Sequence, residues 1–138
     1  MEAPPTWDVR LYRRTAEQDE RTFAILHAGN FGLPRQRGDF GSGAVELMKP
    51  HHAFVSLFEY EPEAARTPLF AKAGLPSIRH EHFSPRALQR TLPGQSGVQY
   101  FFHVGRRAFC LYVVLGSHRM RSSLVAEVNR LLATVAVR

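Results

Sequence analysis

A single cysteine, Cys110, among 138 residues rules out a disulfide within the chain, so the core must hold the domain together unaided. Lysine is almost missing as well: 16 of the 18 basic residues are arginine, and the exceptions are Lys49 and Lys72. No apolar run approaches the roughly 20 residues of a membrane-spanning helix. Ten glycines and nine prolines form no repeat and no low-complexity tract, which excludes collagen-like and biased-composition classes. Walker, dinucleotide, Gly-x-Ser-x-Gly and His-Glu-x-x-His signatures are all absent.

What is present argues for a folded domain. Hydrophobic residues make up 44% of the chain and aromatic residues 11%, enough for a core and too much for disorder. The formal charge is +6 and the pI about 10.2, a balance that favours encounter with anions. The basic residues fall in scattered pairs, not along one helix face. Two pairs on expected loops, Arg35 with Arg37 and Arg106 with Arg107, are the candidate anion- or nucleic-acid-binding residues. Cys110 lies within the apolar run 109–115, where a thiol behaves as a small hydrophobe.

Residues 1–6, opening Met-Glu-Ala-Pro-Pro, read as a linker ahead of one domain spanning 7–138. Neither a basic stretch nor an apolar one precedes the domain, so this chain shows no signal peptide. A domain trimmed from behind a signal or anchor would begin in this way. That origin implies an extracytoplasmic or membrane-associated protein, held there by a segment outside this chain. The alternative is a cytoplasmic protein.

Alternation of apolar and polar side chains predicts strands at 7–12 and 22–27, joined as a hairpin. A glycine-rich loop follows over 29–43. Its Gly38-Asp39-Phe40-Gly41-Ser42-Gly43 stretch superficially suggests a phosphate cradle, but too little helix follows to supply converging N–H groups. Residues 44–48 and 53–60 predict a second hairpin around Lys49-Pro50-His51-His52. Pro62 and Pro68 each open a short helical turn, with Thr67 as a cap and Gly74 as a stop. Residues 75–83 suggest an extended segment, and Ser84-Pro85 a short helix to about Arg90.

The strongest β pattern is 98–104 and 108–115 around Gly105-Arg106-Arg107, an antiparallel hairpin. Its second strand is apolar on both faces, as a covered strand in mid-sheet must be. Met120, Leu124, Val128, Leu131 and Val135 then recur every three or four residues, predicting a helix over about 118–134 with Ser117 as its cap. The sum is an α+β fold: a twisted antiparallel sheet of about six strands, packed by a long C-terminal helix and short helices. That order of elements resembles the fold shared by Mog1 and the photosystem protein PsbP, found also in actinobacterial lipoproteins. The resemblance implies a non-catalytic binding or accessory domain, often outside the cytoplasm, and it carries no functional residue across.

Three constellations bear on chemistry. His80 and His82 flank Glu81 and, in an extended segment, would project to one side as two ligands of a metal, with His51-His52 in a turn as the further candidates. His103 sits on the strand beside Cys110, an arrangement that would suit a thiolate pair only if the two faced each other. Phe101 and His103 lie on the face of the last hairpin away from the final helix, where an exposed aromatic surface would suit a protein partner or a second copy. The leading expectation is a non-enzymatic partner-binding domain without a cofactor. The alternatives are an arginine-based anion or nucleic-acid module and a small metal-dependent enzyme around His80 and His82.

Overall fold

The computed structural model describes residues 6–13 and 23–137. Met1–Pro5, most of the expected linker, lie outside them. Among the described residues five strands form one open antiparallel sheet: β1 Asp8–Arg13, β2 Ala24–Gly29, β3 Ala53–Tyr60, β4 Ser96–Val104 and β5 Arg107–Leu115. Their order across the sheet is β1-β2-β3-β5-β4. One helix, α1 Arg121–Leu132, follows the last strand. The fold is therefore α+β, with five strands where the sequence pattern suggested about six.

The missing strand is 44–48. Val45–Leu47 forms a single 3₁₀ turn, and its buried Val45 packs down onto the sheet instead of extending it. A short apolar run does not distinguish the two outcomes by periodicity alone. Ser84-Pro85 likewise opens no helix. Ser84 pairs with Gly97, each N–H donating to the other's carbonyl at 3.1 and 3.0 Å, and its Oγ accepts from the Arg86 N–H at 3.1 Å. The Ser-Pro pair forms a turn because 84–90 carries no apolar stripe to dock a helix. Pro62–Arg66 and Pro68–Phe70 are 3₁₀ turns begun by their prolines, as expected. Thr67 does not cap the second; its Oγ1 donates back to the Ala64 carbonyl at 2.7 Å.

Every residue of β5 from Ala108 to Leu115 is buried, because the strand lies between β3 and β4 and is covered on both faces. Period-two alternation sends Phe109, Leu111, Val113 and Leu115 towards α1. The helix answers with Leu124, Val125, Val128, Leu131 and Leu132, all buried. Full burial of each such side chain contributes about 1.5–3 kcal/mol. The helix begins three residues later than its pattern suggested, after a turn in which Ser117 Oγ accepts from the Met120 N–H at 3.3 Å. Asn129 then reaches from α1 to the expected extended segment. Its Oδ1 accepts from the Ile78 N–H at 3.0 Å and its Nδ2 donates to the Ile78 carbonyl at 2.9 Å. One side chain thus supplies both bonds that a neighbouring strand would.

The opposite face is covered by the chain's own connections. Leu33 from the glycine-rich loop and Ala44 and Val45 from the turn that follows it pack on Phe54, Tyr112 and Val114, with Phe31, Phe40, Leu88 and Leu92 around them. A second group joins Ile25, Phe58 and Cys110 to Phe40, Tyr60 and Phe101. The loop is tied down where it crosses the sheet. Arg37 donates from Nε to His27 Nδ1 at 3.0 Å, and His27 Nε2 meets the Asp39 carbonyl at 2.9 Å. Ser56 Oγ donates to the same carbonyl at 2.7 Å. Tyr12 O–H donates to Asp39 Oδ1 at 3.1 Å.

Candidate functional site

The turn between β4 and β5 is two residues long, Gly105 and Arg106, and Gly105 takes it at φ +57°. So tight a turn leaves Arg106 standing clear of the sheet. Beside it lie the two 3₁₀ turns, held in place by aromatic contacts and by one histidine. Phe70 is buried with its ring 5.3 Å from Tyr60 and 5.5 Å from Phe101, the latter edge-on. His103 grips the same connection three times. Its N–H donates to the Lys72 carbonyl at 2.9 Å, its own carbonyl accepts from the Gly74 N–H at 2.8 Å, and its Nδ1 lies 2.6 Å from the Phe70 carbonyl.

Because a carbonyl only accepts, the last bond puts a proton on Nδ1 and leaves Nε2 as the nitrogen available to a ligand. An open groove of about 600 Å³ results, lined by Pro62, Glu63, Arg66, His103 and Arg106 among others. Neither Arg66 nor Arg106 has a hydrogen-bond or ion-pair partner for its guanidinium among the described residues. Two cations and an imidazole against one carboxylate make the groove net positive. Such an arrangement has the charge to attract an anionic group, and Arg presents the paired donors that match a carboxylate or phosphate.

Of the arginines that the sequence singled out, the structure brings Arg106 alone to this groove. Its neighbour Arg107 turns to the helix-covered face, where Nε and Nη2 hold Glu59 at 3.0 and 2.9 Å and the guanidinium lies 5.0 Å from the Phe109 ring centre. Arg37 belongs to the tie on the other face; it also donates to the Pro34 carbonyl and sits 5.7 Å from the Tyr12 ring centre. Arg35 is exposed on the loop. The four do not converge. Arg66 went unremarked because nothing in sequence places residue 66 beside residue 106.

Phe101 and His103 do share a face, but Phe70 packs edge-on against Phe101 and holds His103 through its carbonyl, so both are half-buried and, of the two, His103 alone borders the groove. His80–His82 is a 3₁₀ turn, not an extended segment, and its geometry parts the two imidazoles. His80 Nε2 pairs with Glu81 at 3.0 Å, while His82 Nδ1 meets the Tyr100 hydroxyl at 2.8 Å. No three His, Cys, Asp or Glu side chains gather as a metal set among the described residues. His51 and His52 lie against each other, ring centres 4.2 Å apart, with Phe31 stacked on His52.

Cys110 faces Phe101 across the ladder, and His103 faces Ala108, so the thiol and imidazole are not opposite partners. Burial pushes the Cys110 thiol up to about 12, far from a reactive thiolate. No described helix is long and apolar enough to cross a membrane. Comparison of the chain with protein-family models, with curated proteins and with solved structures returned no match in any of the three.

Proposed function

We propose that this is a non-enzymatic binding domain that takes an acidic segment of a protein partner into the groove at the β4–β5 turn. The observation that carries the reading is the pair Arg66 and Arg106, two guanidiniums without partners among the described residues, on a surface fixed from below by His103. Elsewhere the domain spends arginines on its own structure, as Arg37 and Arg107 show. The net charge of +6 supports encounter with an acidic partner.

Titration with poly-L-glutamate at low salt tests the reading. Binding is expected, weakening steeply as salt rises. The double substitution R66A/R106A should lower affinity about tenfold, since each exposed charge pair is worth up to about 1 kcal/mol. The matched variant R119A/R130A removes two exposed charges elsewhere and should bind as the parent does. Equal losses in the two variants would mean diffuse attraction to a basic protein, and the groove would be no site.

A further inference from the structure

The two edges of the sheet are treated differently. Along β4 the chain closes its own edge: Ser84 pairs with Gly97 at one end, and Lys72 and Gly74 pair with His103 at the other. Exposed edges invite pairing with other chains, and folded proteins commonly cover or blunt them. At β1 the alternation of the ladder settles which groups point outward. The Asn30 N–H donates to the Ala53 carbonyl, which makes the even residues of β2 those that bond β3. The odd residues of β2 therefore bond Asp8, Arg10 and Tyr12 of β1, and the N–H and C=O groups of Val9 and Leu11 face away from the sheet. They have no partner among the described residues.

Side chains on this strand reinforce the point. Leu11 is 71% exposed, the most exposed large hydrophobic side chain described, and it stands at the middle of the edge. It borders a groove of about 180 Å³ whose lining is largely apolar, with Leu26, Leu57, Val135 and Val137 around the paired Glu59 and Arg107. Of the charges on this edge, Arg10 is paired along its own strand with Asp8, Nε to Oδ1 at 2.8 Å, and Arg13 stands at the far end of the strand, clear of Leu11.

We infer that β1 pairs antiparallel with β1 of a second copy of this chain about a two-fold axis, making one continuous sheet through two molecules. Outward-facing residues must meet outward-facing residues, so only registers that set odd against odd are allowed. Centring the axis on Leu11 sets the two Leu11 side chains side by side over their joined grooves. It also sets Arg10 against the copy's Tyr12, a cation beside an aromatic ring on the other face. Centring it on Arg10 would instead oppose two like charges. Centring it on Val9 would pair Asp8 with the copy's Arg10 but hold the two Leu11 side chains apart. The Leu11 register is the one that covers the exposed leucine of each copy with the other, and that favours a second copy over an unrelated peptide.

Sedimentation velocity from micromolar to submillimolar concentration, joined to amide exchange, tests the pairing. A concentration-dependent dimer is expected, with the Val9 and Leu11 amides gaining protection as it forms. L11E places like charges against each other on the axis and should weaken the dimer about tenfold or more. An unchanged circular dichroism spectrum and melting temperature would show that L11E still folds, as the exposure of Leu11 leads one to expect. A monomer throughout the range overturns the inference. So does a dimer in which the Val9 and Leu11 amides stay open or L11E has no effect. R66A/R106A leaves β1 untouched and should dimerise normally, so failure of the groove reading and failure of this one are separable.

Discussion

The Nε–H of Arg37 donates to Nδ1 of His27 at 3.0 Å, which leaves the imidazole only one place to carry its proton. Nδ1 must be bare, so Nε2 bears the hydrogen and donates it to the Asp39 carbonyl at 2.9 Å. A neutral ring with a fixed tautomer ties the glycine-rich loop to the sheet. Burial is the main cause holding His27 down at about 4, and the nearby Arg37 charge adds to it, against opposing contributions from Asp39.

From that follows a pH dependence with a definite sign. An unfolded His27 takes up a proton below about 6.5, whereas the folded one resists until about 4. Between those values the unfolded chain binds more protons, so stability is fully present above about 6.5 and declines as pH falls towards 4. The full contribution amounts to about 3 kcal/mol by linkage. Urea midpoints at pH 7.5 and pH 5 should therefore differ more for the parent than for H27Q, which cannot titrate. An equal difference would remove His27 from the acid response.

Asn129 should prove costly to replace. It satisfies both the N–H and the carbonyl of Ile78, and N129A leaves two backbone groups unpaired beside a buried residue. Each orphaned group costs about 1–3 kcal/mol. Denaturation should show N129A several kcal/mol less stable, with amide exchange speeding at Ile78 before it does in β5.

Gly116 ends β5 pressed against another backbone. Its N–H donates to the His52 carbonyl at 2.8 Å, and a Cβ there would overlap the Lys49 carbonyl. G116A therefore has to move the chain around Lys49-Pro50. A loss of about 1–3 kcal/mol is expected by thermal melting, as for other overpacked sites.

Cys110 should be silent to a thiol reagent in the native protein and react at once after denaturation. Complete burial and a thiol held near 12 both require it. Reaction of the native protein at the rate of a small free thiol would contradict the covered position of β5.

Local pattern carried much of this fold. The hairpins β1–β2 and β4–β5 and the helix α1 join neighbouring stretches, and each shows its own period. The second layer was illegible because irregular backbone builds it. Leu33, Phe40, Ala44 and Val45 sit at no regular spacing between glycines, yet together they cover one face. His27 did leave a trace: alternation with Leu26 and Ala28 sets it on one face with Ile25, which marks a polar group bound for burial. Its partners Arg37 and Asp39 left none, since only the path of the loop brings them there. For the groove, Arg106 was visible as a turn residue, while Arg66 and the grip of His103 on Phe70 arise from tertiary packing.

The strand order also divides the chain into two locally wound halves. β1, β2 and β3 follow one another across the sheet, β4 and β5 form a hairpin with α1 behind them, and the β3–β5 ladder alone stitches the strands of one half to those of the other. Each half joins strands that are nearer in sequence, whereas Ala53 must find Leu115 and Tyr60 must find Ala108 across longer stretches of chain. Zipping that one seam should set the folding rate. Substitutions along it, such as V55A or V113A, should slow refolding, while equally destabilising ones in β1 should mainly hasten unfolding.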